Sequence, residues 1–206
     1  MPGPLSQVAA PRAVLIWGVL LLVAGVPLIL STFSPLLAWR DPIYIIAGAA
    51  GVAGLSLMVF QPVLAAGALP GVGFAASRRA HRWVATALVG AVIVHVGGLW
   101  LTSPPDVIDA LLFRSPTPFA VWGVLALIAI GASAVIALCR RPLRIRWKTW
   151  RWVHSCLAFI LVLGTILHAI LIQGTMEPIS KALICGFVFL ATVIVLLKPL
   201  TNFPKS

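Results

Sequence analysis

Charged side chains are scarce in this sequence, and acidic ones are nearly missing. Of 206 residues only 9% are charged and four are Asp or Glu, whereas 61% are hydrophobic. The mean hydropathy of +1.11 lies far above the range of soluble globular domains. A water-soluble enzyme or binding module is therefore excluded, and the predicted surroundings of the chain are a lipid bilayer.

Cysteine and glycine motifs that bind metals or nucleotides are also missing. The three cysteines, Cys139, Cys156 and Cys185, have no CxxC or other metal-ligand spacing. We expect them to pack as small apolar side chains. No strand precedes a glycine-rich loop, which excludes a Rossmann nucleotide site. Small residues four positions apart, such as Ala47 and Gly51, are instead typical of contacts between membrane helices.

Long apolar runs make up most of the chain. A bilayer-spanning helix needs about 20 mostly apolar residues, and six runs approach or exceed that length. We predict a single all-α domain over residues 1–206, an integral membrane bundle of about six transmembrane helices without a soluble flavin or nicotinamide domain. The predicted spans lie near 13–32, 43–66, 83–102, 119–139, 153–172 and 182–199.

Basic residues are distributed unevenly between the two ends of these spans. If the N-terminus is cytoplasmic, only Arg40, Arg114 and Lys181 of the 15 basic residues fall outside, together with all four acidic residues. Positive charge in short loops marks the cytoplasmic side. We therefore expect both termini to be cytoplasmic, in the inner (plasma) membrane of a bacterium. The net charge of +11 is attributed to this orientation and not to nucleic-acid binding.

Histidine is rare, and its positions form a pattern. His81 and His95 belong to the third predicted span, and His154 and His168 belong to the fifth, so both pairs have the spacing H-x13-H. This interval makes nearly four helical turns, which places both members on one face, about 21 Å apart along the axis. Under the predicted topology both helices run outward. We call His81 and His154 the inner pair, and His95 and His168 the outer pair.

The repeated interval indicates metal ligation. Ordinary packing gives no reason to repeat it on two parallel helices while leaving histidine out of the rest of the chain. A single four-histidine zinc site is excluded, because metal–nitrogen bonds of about 2 Å cannot gather residues held about 21 Å apart. Two ligands at each level suit an iron whose other four positions are filled by a macrocycle. The predicted cofactors are therefore two b-type haems, one at each pair.

Arginines beside the inner pair are candidates for binding haem propionates. Arg82 adjoins His81, and Arg151 lies three positions before His154. A guanidinium neutralises a carboxylate through charge-assisted hydrogen bonds, so we assign Arg82 and Arg151 as candidate cofactor-binding residues. Cytoplasmic loops also carry arginine for topological reasons, and this alternative stays open.

The histidine segments resemble those of a known family. RRAHRWVATALVGAVIVH and WKTWRWVHSCLAFILVLGTILHAIL are similar to the haem-bearing helices of the ferric reductase-like transmembrane domain. This domain occurs in ferric reductases and NADPH oxidases, and the bacterial haem subunit MsrQ is a shorter relative. The resemblance covers most of residues 43–199 and is most specific at W-x-x-x-H, from Trp150 to His154. It implies that the four histidines are axial ligands of haem iron.

Two axial histidines leave no open position on an iron, which favours electron transfer over bond-making chemistry. The leading hypothesis is a membrane cytochrome b-type component of an oxidoreductase, with no catalytic residue assigned. Because no flavin domain follows the sixth span, we expect a separate donor, a flavoprotein or a quinol, and an acceptor at the outer face. One alternative is an MsrQ-like subunit that feeds a periplasmic oxidoreductase. Another is a non-redox transporter or structural helical bundle.

Overall fold

The computed structural model of the chain describes residues 4–201, and this part of the chain contains helices and turns but no strand. Residues 1–3 and 202–206 of the predicted domain lie outside the described residues. A 3-10 turn, Pro35–Leu37, follows the first helix. The α-helices are α1 (Pro4–Thr32), α2 (Pro42–Met58), α3 (Phe60–Ala65), α4 (Phe74–Thr102), α5 (Pro104–Leu111), α6 (Ala120–Cys139), α7 (Trp147–Leu171) and α8 (Pro178–Thr201).

Six helical segments of the described chain are long and apolar enough to cross a membrane. They are Pro11–Thr32, Pro42–Ala65, Phe74–Thr102, Ala120–Cys139, Trp147–Leu171 and Pro178–Lys198. The second of them joins α2 to α3. The prediction of an all-α bundle with six spans is confirmed, and the chain is a multi-pass membrane protein. The short helix α5, between the third and fourth spans, is an element that hydropathy alone does not predict.

The third and fifth helices begin earlier than the predicted spans. α4 starts at Phe74 instead of 83, and α7 starts at Trp147 instead of 153. Hydropathy detects only the apolar residues, whereas helical backbone bonding continues through arginines whose long side chains extend toward water. His81 and His154 therefore each lie about two turns inside a continuous helix.

Acidic side chains cap two of the spans. The carboxylate of Asp41 accepts the backbone N–H of Ile43 at the start of α2, at 2.7 Å. Glu177 accepts the N–H groups of Ser180 and Ile179 at the start of α8, at 2.6 and 2.8 Å. The bond from Ser180, followed by that from Ile179, lowers the pKa of Glu177. The scarce acidic residues thus satisfy backbone donors that begin membrane helices.

Two helix pairs dominate the packing. α4 packs along α2, and α7 packs along α6. By contrast, α4 and α7 hardly contact each other. α8 packs against α7, α1 and α3 on another side of the bundle. Each histidine-bearing helix is therefore supported by its own partner helix and not by the other histidine-bearing helix.

Several of the best-buried side chains lie on α8. Ile184 and Val188 are completely buried, and Cys185 beside them is 2% exposed. Cys185 thus packs as the sequence predicts, whereas Cys156 is exposed, and all three cysteines are free. The neighbouring residue Leu183 is 65% exposed on the opposite face of the helix. Such an exposed leucine in a membrane span is expected to face lipid.

The contrast between Ile184 and Leu183 predicts unequal effects of truncation. Ile184→Ala should lower the free energy of unfolding by about 2–5 kcal/mol, because it leaves a cavity in the packed bundle. Leu183→Ala should change it by no more than about 0.5 kcal/mol, as at other surface positions. Unfolding of both variants in mixed detergent micelles measures the difference. Equal losses would contradict the assignment of Leu183 to the lipid-facing surface.

Candidate functional site

The structure brings the outer pair together from two helices that hardly touch. The ring centroids of His95, on α4, and His168, on α7, are 6.4 Å apart, and the ring planes meet at 79°. The second histidines of α4 and α7 thus meet, and the first histidines, His81 and His154, are also close enough to interact electrostatically, so the two helices run in the same direction. His95 and His168 therefore lie at the same level of the bundle.

Each outer ring is hydrogen-bonded to a backbone carbonyl of the preceding membrane span. His95 Nδ1 lies 2.8 Å from the carbonyl oxygen of Ala47 on α2. His168 Nδ1 lies 2.9 Å from the carbonyl oxygen of Phe119, at the start of α6. A carbonyl oxygen only accepts, so Nδ1 is the donor in both rings. In the neutral imidazole this leaves Nε2 with a lone pair. Metal-binding histidines are commonly oriented by such a bond.

A glycine lies under each outer ring. A Cβ atom on Gly51 would come within 2.9 Å of His95 Nδ1, and a Cβ on Gly123 would come within 2.7 Å of His168 Nδ1. Both distances are shorter than real Cβ contacts, so no other amino acid fits without moving the ring. Each glycine follows the carbonyl-bearing residue by one helical turn. We call Gly51 and Gly123 the glycine seats.

The two outer histidines belong to similar structural units. In each unit a carbonyl and a glycine seat on one helix hold an imidazole from the antiparallel partner helix. The hydrogen-bonded residues are 48 positions apart in the first unit and 49 in the second. The pair α2 and α4 therefore repeats the arrangement of α6 and α7. The spacing H-x13-H is only part of this repeat.

The inner pair is held differently. His81 Nδ1 donates to the carbonyl oxygen of Gln61 on α3, at 3.2 Å. One turn earlier, Ser77 Oγ donates to Leu64 O at 2.8 Å, so α3 is fixed to α4 at two successive turns. His81 and His154 are close enough to interact electrostatically. The structure thus brings them to one level, at the opposite end of α4 and α7 from the outer pair.

His154 stacks on an indole. Its ring is parallel to that of Trp150 within 5°, with centroids 5.1 Å apart. The described residues provide no hydrogen-bond partner for the His154 ring, in contrast to the other three histidines. Trp150 Nε1 is buried and has no partner among the described residues either, and the same holds for both side-chain polar atoms of Gln61.

The two predicted arginines lie at the surface near the inner pair. Arg82 and Arg151 are both exposed. Arg82 is close enough to His81 to affect it electrostatically. No hydrogen bond or ion pair joins either guanidinium to another described side chain, those of residues 11–198, and the role of both arginines toward a cofactor stays a prediction. The same range contains no group of three or more His, Cys, Asp or Glu that could hold a metal ion.

Four residues of the site were not predicted from the sequence. The glycine seats and Gln61 contact histidines only because separate helices approach each other, whereas Trp150 meets His154 within α7 through the rotamers of the two side chains. The sequence predicts Ala47 and Gly51 as a helix-packing pair, and Ala47 is completely buried. The sequence does contain one relevant regularity: each outer histidine follows its glycine, in the preceding span, by nearly the same number of residues. It becomes informative only once the helix pairs are known.

Comparison with known proteins assigns the family. A sequence model of the family described as "Ferric reductase like transmembrane component" matches residues 47–165. The match begins at Ala47, whose carbonyl holds His95, and includes His81, His95 and His154. A search of curated proteins and a search of solved structures each found no match. Because the family model covers more than half of the chain, this membrane protein belongs to the ferric reductase-like transmembrane family.

Proposed function

We propose that the chain binds two b-type haems, one between the members of each histidine pair, and carries electrons between the two faces of the membrane. The geometry of the outer pair is the main support for this proposal. Its two rings come from separate helices, each has Nδ1 bonded to a backbone carbonyl, and their centroids are 6.4 Å apart. This arrangement supports two neutral imidazoles that face one iron from opposite sides.

The ring separation fits that arrangement. Metal–imidazole bonds are about 2.0 Å long, and a ring nitrogen lies about 1.1 Å from its ring centroid, so two opposed axial imidazoles have centroids about 6.2 Å apart. The observed separation is 6.4 Å. Nδ1 of each ring faces the helix that supplies its carbonyl partner, so Nε2 points away from that helix. The sparse contact between α4 and α7 also suits a flat macrocycle between them.

The inner pair offers a second set of suitable groups. The buried Nε1 of Trp150 and the buried side-chain amide of Gln61 lack partners among the described residues, whereas buried polar atoms are normally hydrogen-bonded. Haem carries two carboxylates that such donors would bind. Arg82 and Arg151 are placed to neutralise the same carboxylates. These four residues are therefore the proposed polar contacts of the inner haem.

The protein residues would prepare the site for electron transfer. A haem held by the two histidines of a pair would supply an iron that can alternate between the ferric and ferrous states. The carbonyl bonds fix the tautomer and orientation of three imidazoles and raise their basicity. Because the two levels are about 21 Å apart along each helix, the four histidines would hold two redox centres at different depths. This is the arrangement of a transmembrane relay.

The proposal also includes the location of the chain and its electron-transfer partners. We propose a bacterial inner-membrane location with both termini cytoplasmic, a flavoprotein or quinol as the separate donor, and an acceptor at the outer face. The basic loop that precedes α7 favours a donor protein with an acidic surface. Arg140, Arg141 and Arg144 line a cavity of about 400 Å³ there, together with Ile145. Clustered positive charge accelerates encounters with an acidic protein.

Replacement of single histidines tests the pairing. The wild-type chain should contain two haems, and His95→Ala and His168→Ala should each leave one haem with the same spectrum and midpoint potential. His81→Ala and His154→Ala should leave the other haem, because the two ligands of one iron share a depth. Haem content per chain and redox titration of each purified variant make the measurement.

The same variants test transport of electrons. In vesicles that contain trapped ferricyanide, dithionite added outside should bleach the ferricyanide faster with wild-type chain than with any of the four variants. A wild-type chain that is colourless after expression with added haem would overturn the proposed function. Loss of the same haem from His81→Ala and His168→Ala would overturn the pairing alone.

The glycine seats provide a more selective prediction. Gly123→Ala and Gly51→Ala each place a methyl group where an outer imidazole lies, so the affinity for the outer haem should fall roughly tenfold or more. The inner haem should remain. Gly131→Ala and Gly48→Ala are matched controls on the same helices, because a Cβ at either position meets no atom within 4 Å. Titration of the haem-depleted protein with haem measures the affinities.

The controls make the result decisive. Alanine at Gly131 and Gly48 should leave the outer affinity unchanged and should not destabilise either helix, since alanine favours helices more than glycine. Equal effects at seat and control positions would show that the seats do not position the ligands. Loss of both haems in the seat variants would indicate general misfolding instead of a local displacement.

A further inference from the structure

Within the described part of the chain, one of the four histidines, His154, lacks the hydrogen bond to a backbone carbonyl that the other three make. His81, His95 and His168 each donate Nδ1–H to a backbone carbonyl of a neighbouring helix or helix start. The ring of His154 instead lies parallel to the indole of Trp150, with centroids 5.1 Å apart and planes within 5°. A stack fixes the plane of a ring but accepts no N–H bond. The inner pair is therefore asymmetric.

The stack continues toward the cytoplasmic loop. Trp150 packs on Trp147, with centroids 5.0 Å apart and planes at 27°. The guanidinium of Arg140 lies over both indoles, at 4.7 Å from the Trp147 centroid and 4.8 Å from the Trp150 centroid. Cation–π attraction of this kind strengthens when the groups are removed from water. We call these four residues, Arg140, Trp147, Trp150 and His154, the aromatic column.

We propose that Trp150 is the positioning residue of His154, and that the aromatic column replaces, at this one ligand, the carbonyl bond that orients the other three. This inference rests on the proposed function, since it treats His154 as an axial ligand. The indole fixes the imidazole plane and shields the inner iron from water. Loss of the indole would free the ring and admit water beside it.

The location of Trp150 favours this role over general packing. It lies one turn before His154 on the same helix, so the two rings meet without help from tertiary packing of another span. Trp152 lies on the same turn of α7 as Trp150 but is 73% exposed and makes no ring contact with a described residue. The chain thus contains a matched indole at the same depth that does not touch the ligand.

The test compares Trp150→Leu, Trp150→Phe and Trp152→Leu in the full chain. Trp150→Leu should release the inner haem to apomyoglobin roughly tenfold faster. It should also lower the midpoint potential of the inner haem, because water beside the iron stabilises the ferric charge. Trp150→Phe keeps an aromatic face but not the indole N–H, so it should recover most, but not all, of both losses. Trp152→Leu should match wild type, and the outer haem should be unchanged throughout.

Each contrary outcome has a distinct meaning. If Trp150→Leu matches Trp152→Leu in release rate and potential, Trp150 does not position His154. If Trp150→Phe is as impaired as Trp150→Leu, the effect belongs to the indole N–H, and the stacking role is overturned. Equal changes at both haems would assign Trp150 to general stability. Absence of haem from the wild-type chain would defeat the proposed function itself, before any comparison of variants.

Discussion

The bond from a histidine Nδ1 to a backbone carbonyl is the interaction on which the site depends. In a membrane span, a neutral imidazole needs a partner for its N–H group, and a carbonyl on the adjacent helix is the nearest acceptor. This bond directs Nε2 away from the helix that supplies the carbonyl. The glycine seats, Gly51 and Gly123, allow the ring to approach closely enough for that bond to form.

The helix packing follows from the same requirement. α2 and α6 provide carbonyls and seats, and α4 and α7 provide the histidines, so the strongest contacts are within these two pairs. Contact between α4 and α7 is correspondingly sparse, and their outer rings face each other across that boundary. A bundle that packed α4 directly onto α7 would bury the histidines against each other and leave no place for a macrocycle.

The sequence predicts the spans and the levels but not the contacts. Six spans follow from hydropathy, and the depth of each histidine follows from helical periodicity, because both depend on residues within one segment. The starts of α4 and α7 differ because arginine-containing turns remain helical. The glycine seats depend on the approach of separate helices, and the stacking of Trp150 on His154, one turn apart on α7, depends on the rotamers of the two side chains. Spacing in the sequence specifies neither.

Electron paramagnetic resonance of the oxidised protein tests most directly whether His95 and His168 bind one iron from opposite sides. The planes of these rings meet at 79°. Near-perpendicular axial imidazoles give a highly anisotropic low-spin ferric signal, whereas parallel imidazoles give an ordinary rhombic one. We expect the highly anisotropic signal in the wild-type chain and its loss in His95→Ala and in His168→Ala. A haem-loaded wild-type chain with only rhombic or high-spin signals would contradict it.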